Sequence, residues 1–166
     1  MTQIYIRRRN LAEHAIKTRR WVLLGTGTVI AGGLALREYR LIPQDYAGHQ
    51  IAVSTAHQHV RQGDIVLIDI RTPREWRATG IGEGAHPLDM RREDFVPVLD
   101  QLLEGDRTAP VALICARGVR SARLSNQLTE AGFTNVIDVP EGMLGSAAGP
   151  GWVRAGLPVN DYKEDT

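Results

Sequence analysis

Cysteine is almost absent from this chain: Cys115 is the only one in 166 residues. That excludes an internal disulfide framework and any zinc site built from several thiolates. Aromatic residues are sparse, at 5%. No uncharged run reaches the ~20 residues that a membrane-crossing helix needs, so several membrane passes are excluded. After residue 40 there is no internal repeat and no low-complexity tract. What is present has the balance of a folded domain, with 43% hydrophobic and 23% charged residues. At 18.3 kDa there is room for one ordinary domain and some additional sequence.

The net charge of +1 conceals an asymmetry. Residues 1–20 carry Arg7, Arg8, Arg9, Lys17, Arg19 and Arg20 against Glu13 alone, a net of +5, which leaves −4 on the rest. A mildly acidic body is a poor partner for nucleic acid, where affinity comes from clustered cations. The basic stretch runs into Trp21–Leu36, which is uncharged throughout. As a helix it would extend roughly 24 Å, short of the ~30 Å hydrocarbon core of a bilayer. A basic stretch, a short apolar run and then small residues is the order of an export signal.

Thr18-Arg19-Arg20-Trp21-Val22-Leu23-Leu24 resembles the twin-arginine export motif, with Val22 and Leu24 replacing its usual aromatic and lysine. Gly33 and Ala35 would suit a peptidase cutting before Leu36. The expectation is therefore a segment at 1–36 that meets the export machinery or anchors in the inner membrane, a linker at 37–50, a domain at 51–160 and an acidic tail at 161–166. The body is then periplasmic. A transit peptide and a buried helix of a cytosolic protein are the competing readings of the same residues.

The body alternates apolar runs of two periods. Ile65–Ile68, Val111–Ile114 and Val136–Val139 are compact and rich in β-branched residues, as in strands buried within a parallel sheet. Between them, Thr72-Pro73-Arg74-Glu75 is a capping box with proline at the first helical position. Phe95, Leu99, Leu102 and Leu103 recur at helical spacing before Gly105, and Leu124, Leu128 and Ala131 mark one face of a helix ending at Gly132. Ser54 or Thr55 is expected to cap an earlier helix that runs to about Arg61. Strands separated by helices predict an α/β domain with a mostly parallel central sheet and helices on both faces. Chemistry in such sheets collects beyond the carboxyl ends of the strands.

Cys115 falls there, directly after Ile114. The link Cys115-Ala116-Arg117-Gly118-Val119-Arg120-Ser121 turns from strand to helix. Such a loop aims backbone N–H groups inward, the helix dipole adds partial positive charge, and Gly118 permits a backbone conformation that a side chain resists. Arg117 and Arg120 add full charge. Each of these favours thiolate over thiol and suits an anionic substrate or an anionic terminal sulfur. A buried, inert cysteine is the plain alternative.

At these residues the sequence resembles the rhodanese-like sulfurtransferase family, here in a single-domain form, exported or membrane-anchored. The family's pattern Cys-x-x-Gly-x-Arg-Ser is filled by Cys115, Gly118, Arg120 and Ser121. Upstream, the run from Ile65 to Trp76 resembles the family's strand, its Asp-x-Arg (Asp69, Arg71) and the acidic-aromatic pair that follows. Downstream, Ala155-Gly156-Leu157-Pro158-Val159 resembles the closing segment. The likeness spans roughly Ile51 to Asn160. Two stretches depart from the pattern: Gly80-Ile81-Gly82-Glu83-Gly84-Ala85 lacks the family's His and Pro, and Gly145–Gly151 is inserted between Gly142 and Trp152.

The resemblance implies a rhodanese-like fold and a thiosulfate sulfurtransferase-like enzyme without cofactor or metal. Its catalytic Cys115 would carry sulfur as a persulfide between a sulfane-sulfur donor and cyanide, a small thiol or a protein thiol. Residues Ala116, Arg117, Gly118, Val119, Arg120 and Ser121 would form the loop that holds the persulfide. Asp69 and Arg71 would brace the loop or the core. Arg120 could attract anions, or be tied to an acidic neighbour and shape the loop. The alternative is a sulfur carrier or protein-binding module without turnover. A cysteine phosphatase or arsenate reductase fits less well, since those loops have five residues between Cys and Arg and only four intervene here. His57 and His59, two apart, would point to different faces of a helix and make a poor metal site.

Overall fold

A computed structural model describes residues 45–163. The basic and apolar segment at 1–36, most of the linker (37–44) and the end of the tail (164–166) lie outside the described residues. Among the described residues, no helix is long and apolar enough to cross a membrane.

The chain builds β1 (His49–Gln50), α1 (Val53–Gln62), β2 (Val66–Asp69), α2 (Pro73–Thr79), β3 (Ile81–Gly82), β4 (Ala85–Pro87), α3 (Phe95–Leu102), β5 (Val111–Ile114), α4 (Val119–Glu130), β6 (Val136–Val139) and β7 (Val159–Asn160). Five strands form one parallel sheet in the order β1-β6-β5-β2-β4, and β3 pairs antiparallel with β7 in a separate two-stranded ribbon. This is the expected α/β architecture, a parallel central sheet covered on both faces.

Side chains of a strand alternate between faces, so each central strand feeds two cores. Ile68, Leu113 and Val136 join Phe95 and Leu99 of α3 and Leu124 and Leu128 of α4 on one face. Leu67, Ala112, Ile114, Ile137 and Val139 join Val53 and Ala56 of α1, with Met143 and Trp152, on the other. That double burial is why the three apolar runs read as continuous rather than alternating. The register sets Pro87, Asp69, Ile114 and Val139 level at the carboxyl edge, so Cys115 and Pro140 leave neighbouring strands side by side.

Several local expectations are corrected. The first helix starts at Val53, and neither Ser54 nor Thr55 caps it. The Val53 N–H is instead met by Glu141 Oε1 at 3.1 Å, a carboxylate from the far end of the domain. The first core strand is Val66–Asp69, one residue later than the apolar run suggests, because Ile65 is buried just ahead of the ladder. Ala131 is exposed, and α4 ends one residue before it. His49–Gln50, read as part of the linker, is an edge strand against β6. The capping box at Thr72 forms as read: Glu75 N–H donates to Thr72 Oγ1 and Thr72 N–H to Glu75 Oε2.

Asp138 breaks the apolar pattern of β6. It is 1% exposed, and neither carboxylate oxygen has a hydrogen-bond partner among the described residues. Burial pushes its carboxyl up to about 6; the nearby Ser121 hydroxyl and Val139 N–H oppose the rise without cancelling it. Between about pH 4 and 6 the folded protein therefore holds a proton on Asp138 that the unfolded chain, at its ordinary value near 3.8, has already released. Stability from this group falls as pH rises from about 4 to 6, and the full cost of the buried charge is present above that window. Asp138→Asn should remove this slope and raise stability at pH 8 by roughly 1–3 kcal/mol, read from urea unfolding at pH 5 and pH 8.

Candidate active site

The site grows from a contact of backbone against backbone. The turn after β6, Pro140–Gly142, lies directly on the loop after β5. Gly118 has φ 83°, and a Cβ there would stand 2.2 Å from Pro140 O. From the opposite side, Gly142 has φ 66°, and its Cβ would stand 2.7 Å from Ala116 O and Arg117 N. Neither position admits a side chain without moving a main chain. The next residues continue the contact, with Met143 N–H donating to Cys115 O at 2.8 Å and Leu144 N–H to Ala116 O at 2.9 Å.

Cys115 sits at the floor of this loop. Gly118 N–H donates to its sulfur at 3.2 Å, as α4 begins at the next residue. Among the loop amides expected to face inward, this is the one within hydrogen-bond distance of Sγ. Ser121, in the first turn of α4, donates its hydroxyl to Gly118 O at 3.1 Å and fixes the glycine from behind. Cys115 is only 1% exposed and packs with the cluster beneath α4. The residue is thus almost wholly enclosed by its surroundings.

The two loop arginines have different surroundings. Arg117 is exposed and gives a hydrogen bond to Gly145 O at 3.2 Å, in the inserted segment. That segment is a small closed hairpin: Ser146 and Gly149 exchange backbone hydrogen bonds, and the Ser146 hydroxyl donates to Pro140 O at 2.8 Å. Arg120 is half-buried and meets Glu75 through both ends of its guanidinium, Nη2 to Oε1 at 2.5 Å and Nη1 to Oε2 at 3.0 Å. Glu75 Oε2 also accepts from Thr72 N–H and from the Thr72 hydroxyl. The capping-box carboxylate of α2 is thus the acidic neighbour of the loop arginine.

Burial pushes the Glu75 carboxyl up, but hydrogen bonds from Arg120 and Thr72 and the guanidinium charge outweigh it and bring it down to about 2. Arg120 is correspondingly raised, first by its hydrogen bond to Glu75 and further by its interaction with Cys115.

Asp69 and Arg71 form a buried pair below the site. Arg71 Nη2 and Nε donate to Asp69, and Nη1 and Nη2 reach Thr79 Oγ1 and Gly80 O, each at 2.7 Å. They join the carboxyl end of β2 to the end of α2, the helix that presents Glu75. His57 pairs with Glu83 at 2.7 Å and His59 with Asp64 at 2.9 Å, so the two do not converge. Trp152 is fully buried in the α1-side core, and Trp76 packs on Tyr162.

Glu75, Gly142 and Glu141 were not singled out in the sequence as parts of the site. Glu141 links the N-terminus of α1 to the insertion, accepting from Val53 N–H and from Gly151 N–H, each at 3.1 Å. A carboxylate between Pro140 and Gly142, straight after a buried strand, was the one available signal.

A parallel α/β sheet with a lone cysteine in a strand-to-helix anion loop defines the class of the domain. The rhodanese-like domain model matches residues 52–148, and the chain belongs to that family. The thiosulfate sulfurtransferase GlpE of Actinobacillus pleuropneumoniae is 30% identical over 66% of this chain and 91% of its own length. The tRNA uridine(34) hydroxylase of Acinetobacter baylyi is 24% identical over 61% of this chain, and the match spans about a third of that relative, 32% of its length. Among solved structures, the polysulfide-sulfur transferase homodimer of Wolinella succinogenes superposes with a TM-score of 0.53, at 26% identity over 69% of this chain and 80% of that one.

The close approach at Gly118 is testable against a control. Gly63, with φ 77°, has nothing within 4 Å of its missing Cβ, so Gly63→Ala should cost about 1 kcal/mol for the left-handed backbone alone. Gly118→Ala adds the collision with Pro140 and should cost at least about 2–3 kcal/mol, read as a lower urea midpoint than that of Gly63→Ala.

Proposed function

We propose that the domain is a sulfurtransferase that carries sulfane sulfur on Cys115. The observation that carries this reading is Cys115 Sγ held by Gly118 N–H at the start of α4, beside Arg120. In the first step the thiolate attacks the outer sulfur of a donor such as thiosulfate. A new S–S bond forms to Cys115, the donor's own S–S bond breaks, and sulfite departs with the electron pair. In the second step cyanide or a thiolate attacks the terminal sulfur of the persulfide, and Cys115 leaves as thiolate. The Gly118 N–H and the positive end of α4 stabilise negative charge on sulfur before and after each step.

The test is thiosulfate:cyanide sulfurtransfer by the purified protein with Cys115→Ser alongside. Turnover that the serine variant loses, by at least about a thousandfold, supports the reading. Failure to form any persulfide on Cys115, with thiosulfate or with a polysulfide, overturns it.

A second reading draws on the 1% exposure of Cys115. A sulfur so enclosed suits a carrier that opens against one dedicated protein thiol. A stable gain of about 32 Da on Cys115 without turnover on cyanide or small thiols would favour the carrier.

For residues 1–36 we propose export or membrane anchoring, supported by the charge order Arg7–Arg20, Trp21–Leu36. N-terminal sequencing of membrane and periplasmic fractions should recover the domain there. A full-length chain confined to the cytosol would refute it.

A further inference from the structure

We propose that Glu75 sets the charge preference of the site, holding Arg120 neutralised so that anionic reagents are disfavoured at Cys115 relative to neutral ones. The inference deepens the sulfurtransferase reading, because it names the residue that selects among sulfur donors. The full positive charge beside Cys115 Sγ belongs to Arg120, and both of its guanidinium ends are already taken by one carboxylate. That carboxylate is not a loose surface group. It is fixed by Thr72 N–H and the Thr72 hydroxyl as well, so an anion that sought to displace it would also have to break the cap of α2.

The outlying cation that interacts with this pair is itself matched. Arg91, which feels both Glu75 and Arg120, is bound to Asp89 through Nε and Nη2. Asp89 in turn feels Arg120. An incoming anion therefore meets two matched pairs rather than two free cations. Arg117 does carry charge that no carboxylate among the described residues matches, but it is exposed, where water and salt screen it. An ordinary surface ion pair would have little consequence for chemistry. This one differs because its cation interacts with the Cys115 sulfur.

Glu75→Gln separates charge from architecture, since glutamine serves in a capping box as glutamate does. Cys115 is the chain's only cysteine, so its alkylation reports without ambiguity. The full-length protein and the variant are treated with iodoacetate, an anion, and with iodoacetamide, its neutral counterpart. The ratio of the two rate constants should rise about fivefold in Glu75→Gln, and kcat/KM for thiosulfate should rise by at least as much. Glu75→Ala should show the same change in ratio together with lower stability.

A role confined to structure would alter both reagents alike and leave the ratio where it was, which overturns the proposal. A fall in the ratio does so too, as does a Cys115 that neither reagent labels in either folded protein. These outcomes are separable from failure of the sulfurtransferase reading. A protein without sulfur transfer still yields the alkylation ratio, and a flat ratio leaves persulfide formation by wild type untouched.

Discussion

Everything at the site depends on two main chains touching without side chains between them. The loop after β5 and the turn after β6 leave adjacent parallel strands at the same level, and the main-chain bonds from Met143 and Leu144 fasten them together. The contact is possible because Gly118 and Gly142 both adopt backbone conformations closed to L side chains, each facing the other segment. The loop's shape is thereby imposed from outside as well as by its own sequence. The Gly118 N–H is aimed at sulfur because Pro140 stands behind it.

A second layer of constraint works through charge. α2 is a short helix whose first turn is capped by its own Thr72 and Glu75, and the same Glu75 clasps Arg120 of α4. The end of α2 is held by the buried Asp69–Arg71 pair, so the carboxylate is presented from a helix anchored at both ends. Asp69, Arg71, Thr79, Glu75 and Arg120 form one chain of polar contacts that runs from the sheet edge to the loop. The motif arginine is tied to an acidic neighbour. That settles its partner in this structure, and it leaves the backbone N–H and the helix end as the main unspent sources of positive potential at the sulfur.

What could be read in advance was what neighbouring residues settle among themselves. Val111–Ile114 and Val136–Val139 were legible as strands because they are buried on both faces, and the capping box because its four residues satisfy one another. Cys115 was placed correctly at the carboxyl edge because its position follows from where β5 stops. Illegible were the features decided over distance. Ser54 and Thr55 are sound local caps, but a carboxylate 88 residues away takes the helix end instead. Glu75 was visible as a capping residue and invisible as the partner of Arg120, 45 residues on. A two-residue edge strand such as His49–Gln50 carries no periodicity at all. The burial of Cys115 depends on the packed core beneath α4, which one sequence does not disclose.

The Glu141 clasp bears on the order in which the molecule can assemble. The first strand lies against residues 137–138, and the first helix waits for a carboxylate at 141 that also needs Gly151. On a ribosome releasing the chain from its amino end, the strand pairing and the helix cap have no partner until nearly the whole domain has emerged, although α1 can already pack on β2. Closure over so long a span is slow compared with local pairing. The nascent domain therefore spends most of its synthesis with β1 unpaired and the start of α1 open, a state that a chaperone or a translocation channel could hold.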